Sequence, residues 1–285
     1  MKRFEFIKAN LENFKLSNMC NMLGVKRSGF YAWQSRPKSK RKVENESLLE
    51  KIKELFIKKH RIYGYKRITK ILPHDMKASE GRVYRLMKAN GLKSKTAKKY
   101  RPKTTDSDHN LPVAQNILSR EFTAEKPCQK WVSDITYIPT EEGFLYLSGT
   151  LDLYDRGIVG WSMQDHMKKE LVMEALNQAI GRYRPEAGLL LHSDRGSQYW
   201  SRKYQEIIEE KGFKCSMSRK GNCWDNAPME PFWSKLKSEW LSDKKLKTKD
   251  EAKSVVFEYI EIFYNRDRVH SSNDYVCPSE KRKVA

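Results

Sequence analysis

Apolar positions along the first hundred residues recur at helical spacing. In "LSNMCNMLGVKRSGFYAWQSR" (16–36), Leu16, Met19, Cys20 and Leu23 share a face. Gly24 interrupts the run, and Phe30, Tyr31 and Trp33 follow on a second helix. A longer helix is predicted from about Glu44 to Lys59, with Leu48, Ile52, Leu55 and Phe56 inward. In "YGYKRITKILPHDMKASEGRVYRLMKANGLKSK", Ile68, Ile71 and Leu72 make a short helix stopped by Pro73. Ser79 caps the next one, which points Val83, Leu86 and Met87 inward and ends at Gly91. This is helix–turn–helix patterning. Arg82, Arg85 and Lys88 fall off the apolar stripe, and major-groove docking needs such a basic outer face. A helical bundle with solvated basic faces would show the same pattern.

From Trp131 the period changes to two. "WVSDITYIP" (131–139), "FLYLSGTLDLY" (144–154) and "GIVGWSM" (157–163) read as strands. A helix from about Lys169 to Arg182 follows, with Leu171, Val172, Ala175, Leu176 and Ala179 on one face. Then come a buried run "LLLHSD" (189–194), a helix about Ser201–Lys211, a strand "FKCSM", and the helix opened by "WDNAPMEPFWSKLKSEW" (224–240). This order predicts an α/β core, a mixed sheet with helices on its faces, preceded by an all-α helix–turn–helix region. A last helix over 248–264 carries a capping box at Thr248 and Glu251, and a basic tail, "NRDRVHSS", follows. The expected divisions are a basic helical region (1–92), a basic extended linker (93–127), an α/β core (128–245) and a C-terminal helix with tail (246–285).

Charge sharpens the picture. The 285 residues carry a net charge of +20. Residues 1–105 hold 29 basic and 8 acidic side chains, whereas residues 106–285 hold 27 and 28. The first part is built to meet a polyanion, with nucleic acid the leading partner. The acids of the second part serve something else. Five scattered cysteines without a C-x-x-C argue against a disulfide framework and a zinc site, and suit a reducing cytoplasm. No run approaches a membrane span.

Three acids stand out by position. Asp134 lies mid-strand, where a charge is costly unless paired or bound to a metal. Asp194 ends the apolar run at the carboxyl end of a strand, where open α/β sheets bind ligands. Glu230 stands at a helix N-terminus between Pro228 and Pro231. Brought together, their like charges would raise their pKa values or recruit a divalent cation. Each also has a plainer reading: an ion pair for Asp134, a turn cap for Asp194, a first-turn acid for Glu230. Asp152 and Asp155 compete for the same roles. At ~100° per residue, Lys237 falls on the Glu230 side of its helix and Glu239 on the opposite, solvent side. His192 reads as structural or DNA-facing. Trp131, Trp161 and Trp200 read as packing, while Trp224 and Trp233 pack beside the glutamate or stack on an opened DNA end.

With these residues in place, the chain resembles the DDE transposases of bacterial insertion sequences, specifically the second-frame (OrfB) catalytic protein of insertion-sequence family three, relatives of retroviral integrases. The matching segments are "LGVKRSGFYAW", "YGYKRITKIL", "RVYRLMKANGL", "WVSDITYIPTEEGFLYLSGTLDLYDRGIVGWSM", "LLLHSDRGSQYWS", "SMSRKGNCWDNAPMEPFWSKLKSEW" and "YIEIFYNRDRVHS". The family's D–D–E set falls on Asp134, Asp194 and Glu230, with 35 residues between the last two. Its basic residue seven positions after the glutamate falls on Lys237.

The resemblance implies an RNase H-like core with a mixed five-stranded sheet. It also implies Mg²⁺-dependent cleavage, with Mn²⁺ able to substitute and two ions in the active complex. Cleavage frees a 3′-OH that attacks another phosphodiester directly. The implied partners are double-stranded DNA (terminal inverted repeats and target), further copies of the chain, and an upstream-frame partner or frameshift fusion, all nucleoid-associated in a bacterial cytoplasm. Expected DNA contacts are Lys66, Arg67, Arg82, Arg85, Lys88, Lys237, Arg266, Arg268 and His270. Where this chain has Pro231 and Trp233, the family usually has Ser and Phe. An end-binding repressor without chemistry and a structure-selective repair nuclease are the competing readings.

Overall fold

The computed structural model describes residues 2–95, 114–220 and 222–285. Residues 96–113 of the expected basic linker lie outside them.

The helical region opens with α1 (Lys2–Ala9), α2 (Leu16–Met22) and α3 (Arg27–Ser35). Ile7, Met19, Cys20 and Phe30 form their own small core. Gly24 turns the chain between α2 and α3 at φ +62°, a conformation glycine adopts without steric cost. Helix α4 (Lys40–Lys58) starts four residues before the expected Glu44, because Ser39 Oγ caps the Lys42 amide. Helix α5 (Tyr65–Ile71) stops before Pro73. Ser79 caps α6 (Glu80–Ala89) through the Arg82 amide, as its sequence predicts.

Five strands follow: β1 (Lys130–Thr140), β2 (Gly143–Asp152), β3 (Ile158–Gln164), β4 (Leu190–Ser193) and β5 (Lys214–Met217). They form one sheet in the order β3-β2-β1-β4-β5, antiparallel on the β3-β2-β1 side and parallel across β1-β4-β5. Between them run α7 (Lys169–Tyr183) and α8 (Arg202–Glu210), then α9 (Met229–Lys235), α10 (Lys249–Phe257) and α11 (Pro278–Lys283). One sheet face packs on α7 and α8 through Trp131, Val159, Leu176, Leu191 and Ile208. Gly160 lets the α7 backbone at Ala175 approach β3 closely.

The other face packs on α9 and α10 through Val132, Leu147, Met229, Phe232 and Val256. Leu48, Ile52, Phe56, Ile68 and Val83 of α4–α6 belong to that same core. His60 packs on Trp240 at 4.7 Å, Lys59 pairs with Asp267, and Tyr63 Oη accepts the Val269 amide at 2.8 Å. Helices α4–α6 are therefore joined to the sheet by shared apolar packing, while α1–α3 keep a core of their own.

Two helices widen at their C-terminal ends. α9 passes into a π-helical turn over Leu236–Leu241, and α10 does the same over Glu258–Tyr264. Thr248 Oγ1 caps the Glu251 amide as expected, while the Glu251 carboxylate accepts from the Lys247 amide.

Candidate active site

Asp134 sits half-buried in the middle of β1, directly opposite Gly149 of β2. Its Oδ1 accepts the Ile135 amide and its Oδ2 accepts the Trp233 indole Nε1–H, each at 2.9 Å. Its pKa is pushed up to about 7, first by burial and then by the Asp194 charge, with Glu230 adding to it; the two hydrogen bonds oppose the shift. Two carboxylates are thus close enough to Asp134 to be felt as charge.

The sheet explains why. β4 runs parallel to β1 with Val132 paired to His192. Two residues on, Asp194 emerges from β4 level with Asp134, and its Oδ1 accepts the Gly196 amide at 2.9 Å. Glu230 is the second residue of α9 and exposed. Pro231 occupies the first turn of that helix, where its missing N–H has no intrahelical partner to lose.

The turn before α9 is anchored by Asp225 and Asn226, which the sequence pattern does not single out. Asp225 is fully buried. It accepts bonds from the Arg219 amide and guanidinium, Arg120 Nε and Asn116 Nδ2, all at 2.8–2.9 Å. Those partners hold its carboxyl far below the usual range, Arg219 foremost. Asn226 Nδ2 donates to Ser133 O at 3.1 Å, tying the turn to β1 beside Asp134. In sequence, the only signal was an acid and an amide together in "WDNAP".

Lys237 lies on the Asp134 side, its Nζ 5.0 Å from the centre of the Tyr137 ring. Burial lowers its pKa to about 8, against the pull of Asp134. Asp152 and Asp155 do not compete for the site: both are buried and pair with Arg282 of α11. His192 is buried between Ser216 Oγ and Ser218 Oγ, at 2.9 and 3.2 Å, and burial lowers its pKa to about 4. It is structural.

The expected DNA contacts divide. Lys66, Arg85, Lys88 and Arg266 are exposed. Arg82 turns back to Asn45 and Glu44. Arg67 is partly buried over the Tyr63 ring, 3.9 Å from Glu239. Arg268 is 0% exposed, and His270 is buried beside it. Neither Arg268 nor His270 faces solvent, which corrects the expectation that they meet DNA. Glu239 is corrected too: it points inward and accepts from Arg268 Nε and Nη2, at 2.7 and 2.6 Å. The π turn accounts for this, since i→i+5 bonding breaks the 100° pitch that put Glu239 on the solvent side. Trp233 is buried and cannot stack on a base, whereas Trp224 is 66% exposed.

Among the described residues, no three His, Cys, Asp or Glu side chains converge tightly enough to hold a metal ion. The donors do fit one in kind. They are carboxylate oxygens, each oxygen of Asp134 carries one N–H bond and keeps a free lone pair, and the Asp134 pKa records the repulsion a cation would relieve.

A mixed sheet with acids on adjacent strands and a third on the helix beside them defines an integrase-type core, here joined to helix–turn–helix elements. Family comparison agrees: residues 124–223 and 211–278 match integrase core domain models, and residues 42–100 match an HTH-like domain. The chain belongs to the family of insertion-sequence transposases that includes IS3. It is 47% identical over 266 residues to the insertion element IS600 uncharacterized 31 kDa protein of Shigella sonnei, covering 93% of this chain and 97% of that one. It is 36% identical to the transposase InsF for insertion sequence IS3A of Escherichia coli, covering 94% of each. Among solved structures it is similar to a simian T-cell lymphotropic virus intasome, with TM-score 0.47 and 12% identity over 80% of this chain and 73% of that one. It is also similar to the HTLV-2 integrase catalytic core domain in complex with magnesium, with TM-score 0.43 and 15% identity over 56% of this chain and 99% of that one.

Proposed function

We propose that this chain cleaves DNA at the ends of its insertion sequence and joins the freed 3′-OH to a second phosphodiester, with Asp134, Asp194 and Glu230 as the catalytic acids. The observation that carries the reading is the β1–β4 register, which sets Asp194 level with Asp134; burial first, then the Asp194 and Glu230 charges, raise the Asp134 pKa there. Two divalent cations, Mg²⁺ with Mn²⁺ able to substitute, would be held by these three acids and would supply charge neutralisation at the phosphorus and activation of the attacking oxygen.

The chain's own groups do the rest. β1 and β4 fix Asp134 and Asp194 side by side on rigid backbone. The Asp225 and Asn226 anchors aim the start of α9, and with it Glu230, at that pair. Lys237, cationic below about pH 8, stands on the same side to hold a phosphate. In the first reaction a water oxygen bonds to phosphorus and the 3′-oxygen leaves as the hydroxyl. In the second, that hydroxyl bonds to a target phosphorus and the target's own 3′-oxygen leaves. Bond number is conserved, so joining needs no external energy source.

Of the expected contacts, exposed Lys66, Arg85, Lys88 and Arg266 are open to the DNA backbone. The partners of this reading are terminal inverted repeats, target DNA, further copies of the chain and an upstream-frame product.

The test supplies full-length chain, labelled end DNA and Mg²⁺ or Mn²⁺. The expected result is 3′-end nicking and strand joining, abolished by Asp134→Ala, Asp194→Ala or Glu230→Ala. Joining that survives all three substitutions overturns the reading. End binding without chemistry in the unaltered protein would identify a repressor instead.

A further inference from the structure

The pairing of Asp134 with Gly149 across the β1–β2 ladder has a consequence for the indole that touches Asp134. Both residues lie under α9. A Cβ added to Gly149 would fall 2.9 Å from Trp233 Cη2, with Cζ2 and Met229 Cε at 3.5 Å. No side chain fits there while the ring is in place. Through that gap the Trp233 ring lies over β2, and its Nε1–H reaches Asp134 Oδ2 at 2.9 Å. The other oxygen is held by the Ile135 amide. With one donor on each oxygen, the carboxylate cannot rotate freely about its last torsion.

Trp233 also stands three residues after Glu230 on α9, so the two project from one side of the helix. The element that presents the third acid therefore grips the first. The ring is buried and packs at a tilt against Phe232, with ring centres 4.7 Å apart. An indole N–H only donates. It cannot take a proton from substrate or ligate a cation, so what it supplies is orientation. A phenylalanine would fill the same slot and supply none.

We propose that Trp233 is a positioning residue that fixes the Asp134 carboxylate in its ligating orientation, and that Gly149 is the slot admitting it. The proposal rests on the reading of Asp134 as a catalytic ligand. Groups that hydrogen-bond a metal ligand from outside commonly govern metal affinity or activity by roughly 10–100-fold.

The test uses full-length chain with Trp233→Phe, Gly149→Ala and the double variant. Mn²⁺ binding is titrated by water-proton relaxation, alongside ¹⁵N-indole NMR and thermal melting. Trp233→Phe is expected to raise the Mn²⁺ dissociation constant about tenfold while the melting temperature barely moves. The indole resonance that disappears in Trp233→Phe is expected to shift in Asp134→Asn and, in the unaltered protein, on adding Mg²⁺. Gly149→Ala should weaken Mn²⁺ in the same direction, and the double variant should be no worse than the weaker single, since both act through one contact. Unchanged Mn²⁺ affinity in Trp233→Phe, together with an indole resonance indifferent to Asp134→Asn, overturns the proposal. Should Gly149→Ala fail to fold, Trp233→Phe and the spectrum still decide it. Failure of the catalytic reading looks different: strand joining persists in Asp134→Asn whatever the indole does.

Discussion

Arg268 and Glu239 form a bidentate ion pair that holds an arginine with no solvent exposure against the π turn that follows α9. The guanidinium comes from the C-terminal segment and the carboxylate from the π turn after α9. Removing one partner strands the other as a buried charge, which destabilises by about 3–5 kcal/mol. Glu239→Gln is therefore expected to lower the urea midpoint sharply. Removing Arg266, which is exposed, should leave the midpoint within experimental error.

Asp134 should weaken the fold it sits in. Its folded pKa, about 7, lies above its unfolded value, so the folded state binds the proton more tightly. Stability is then lost as pH rises from about 4 to about 7 and stays lost above. In a chelator, Asp134→Asn is expected to match the unaltered protein at pH 4 and to exceed it at pH 8. The gain should be about 1–2 kcal/mol after allowance for the half-exposed site. Adding Mg²⁺ should raise the melting temperature of the unaltered protein more than that of the variant. Melting curves at the two pH values check both statements.

On the proposed function, Asp225 acts through the turn it anchors. Asp225→Asn keeps the shape but removes the charge that holds Arg219 and Arg120, loosening the turn that aims Glu230. The expected outcome is a fall in single-turnover cleavage at saturating DNA, with end-DNA affinity by fluorescence anisotropy changing much less. Equal losses in both would mean that the turn serves binding.

The exposed cations can be separated from the buried ones by salt. Lys66→Ala, Arg85→Ala and Lys88→Ala should each weaken DNA binding across sequences and lower the salt-dependence slope by about 1. Arg82→Ala should move the slope less, because that side chain is engaged with Asn45 and Glu44. Trp224→Ala is expected to weaken binding to frayed ends more than to blunt ones, at unchanged melting temperature.

Lys237 gives a pH signature on the alkaline side. Burial sets its pKa near 8, so its charge fades as pH rises from 7 to 9. The affinity for end DNA should fall over that interval, and Lys237→Arg should flatten the fall. A profile identical in both proteins would show that Lys237 holds no phosphate.

Much of this was legible along the chain. Asp134 betrayed itself because a charge interrupted an alternating strand, and Asp194 because it closed an apolar run. The Ser79 and Thr248 caps and the succession of strands and helices along the chain were readable from local chemistry alone. What escaped was long-range or off-pitch. Glu239 read as surface because a straight helix was assumed where a π turn intervenes. Arg268 and His270 read as a basic tail because nothing local shows that Tyr63, Glu239 and Tyr264 enclose them. Asp225 was not singled out, because besides Arg219 its partners are Arg120 and Asn116, over a hundred residues away. The start of α4 hid in a run of charges, where a cap rather than periodicity decides the boundary.

The packing of α4–α6 into the core of the sheet has a last consequence. A DNA-reading unit on a loose tether could deliver its ends to the blade at any distance. Here Ile52, Phe56 and Ile68 share one interior with Val132 and Leu147, so the span from α6 to Asp134 is built in like the gap of a caliper. On the proposed function, the position of the cut is then measured rather than read. Inserting base pairs between the bound motif and the element's tip should carry the scissile phosphate out of the jaws.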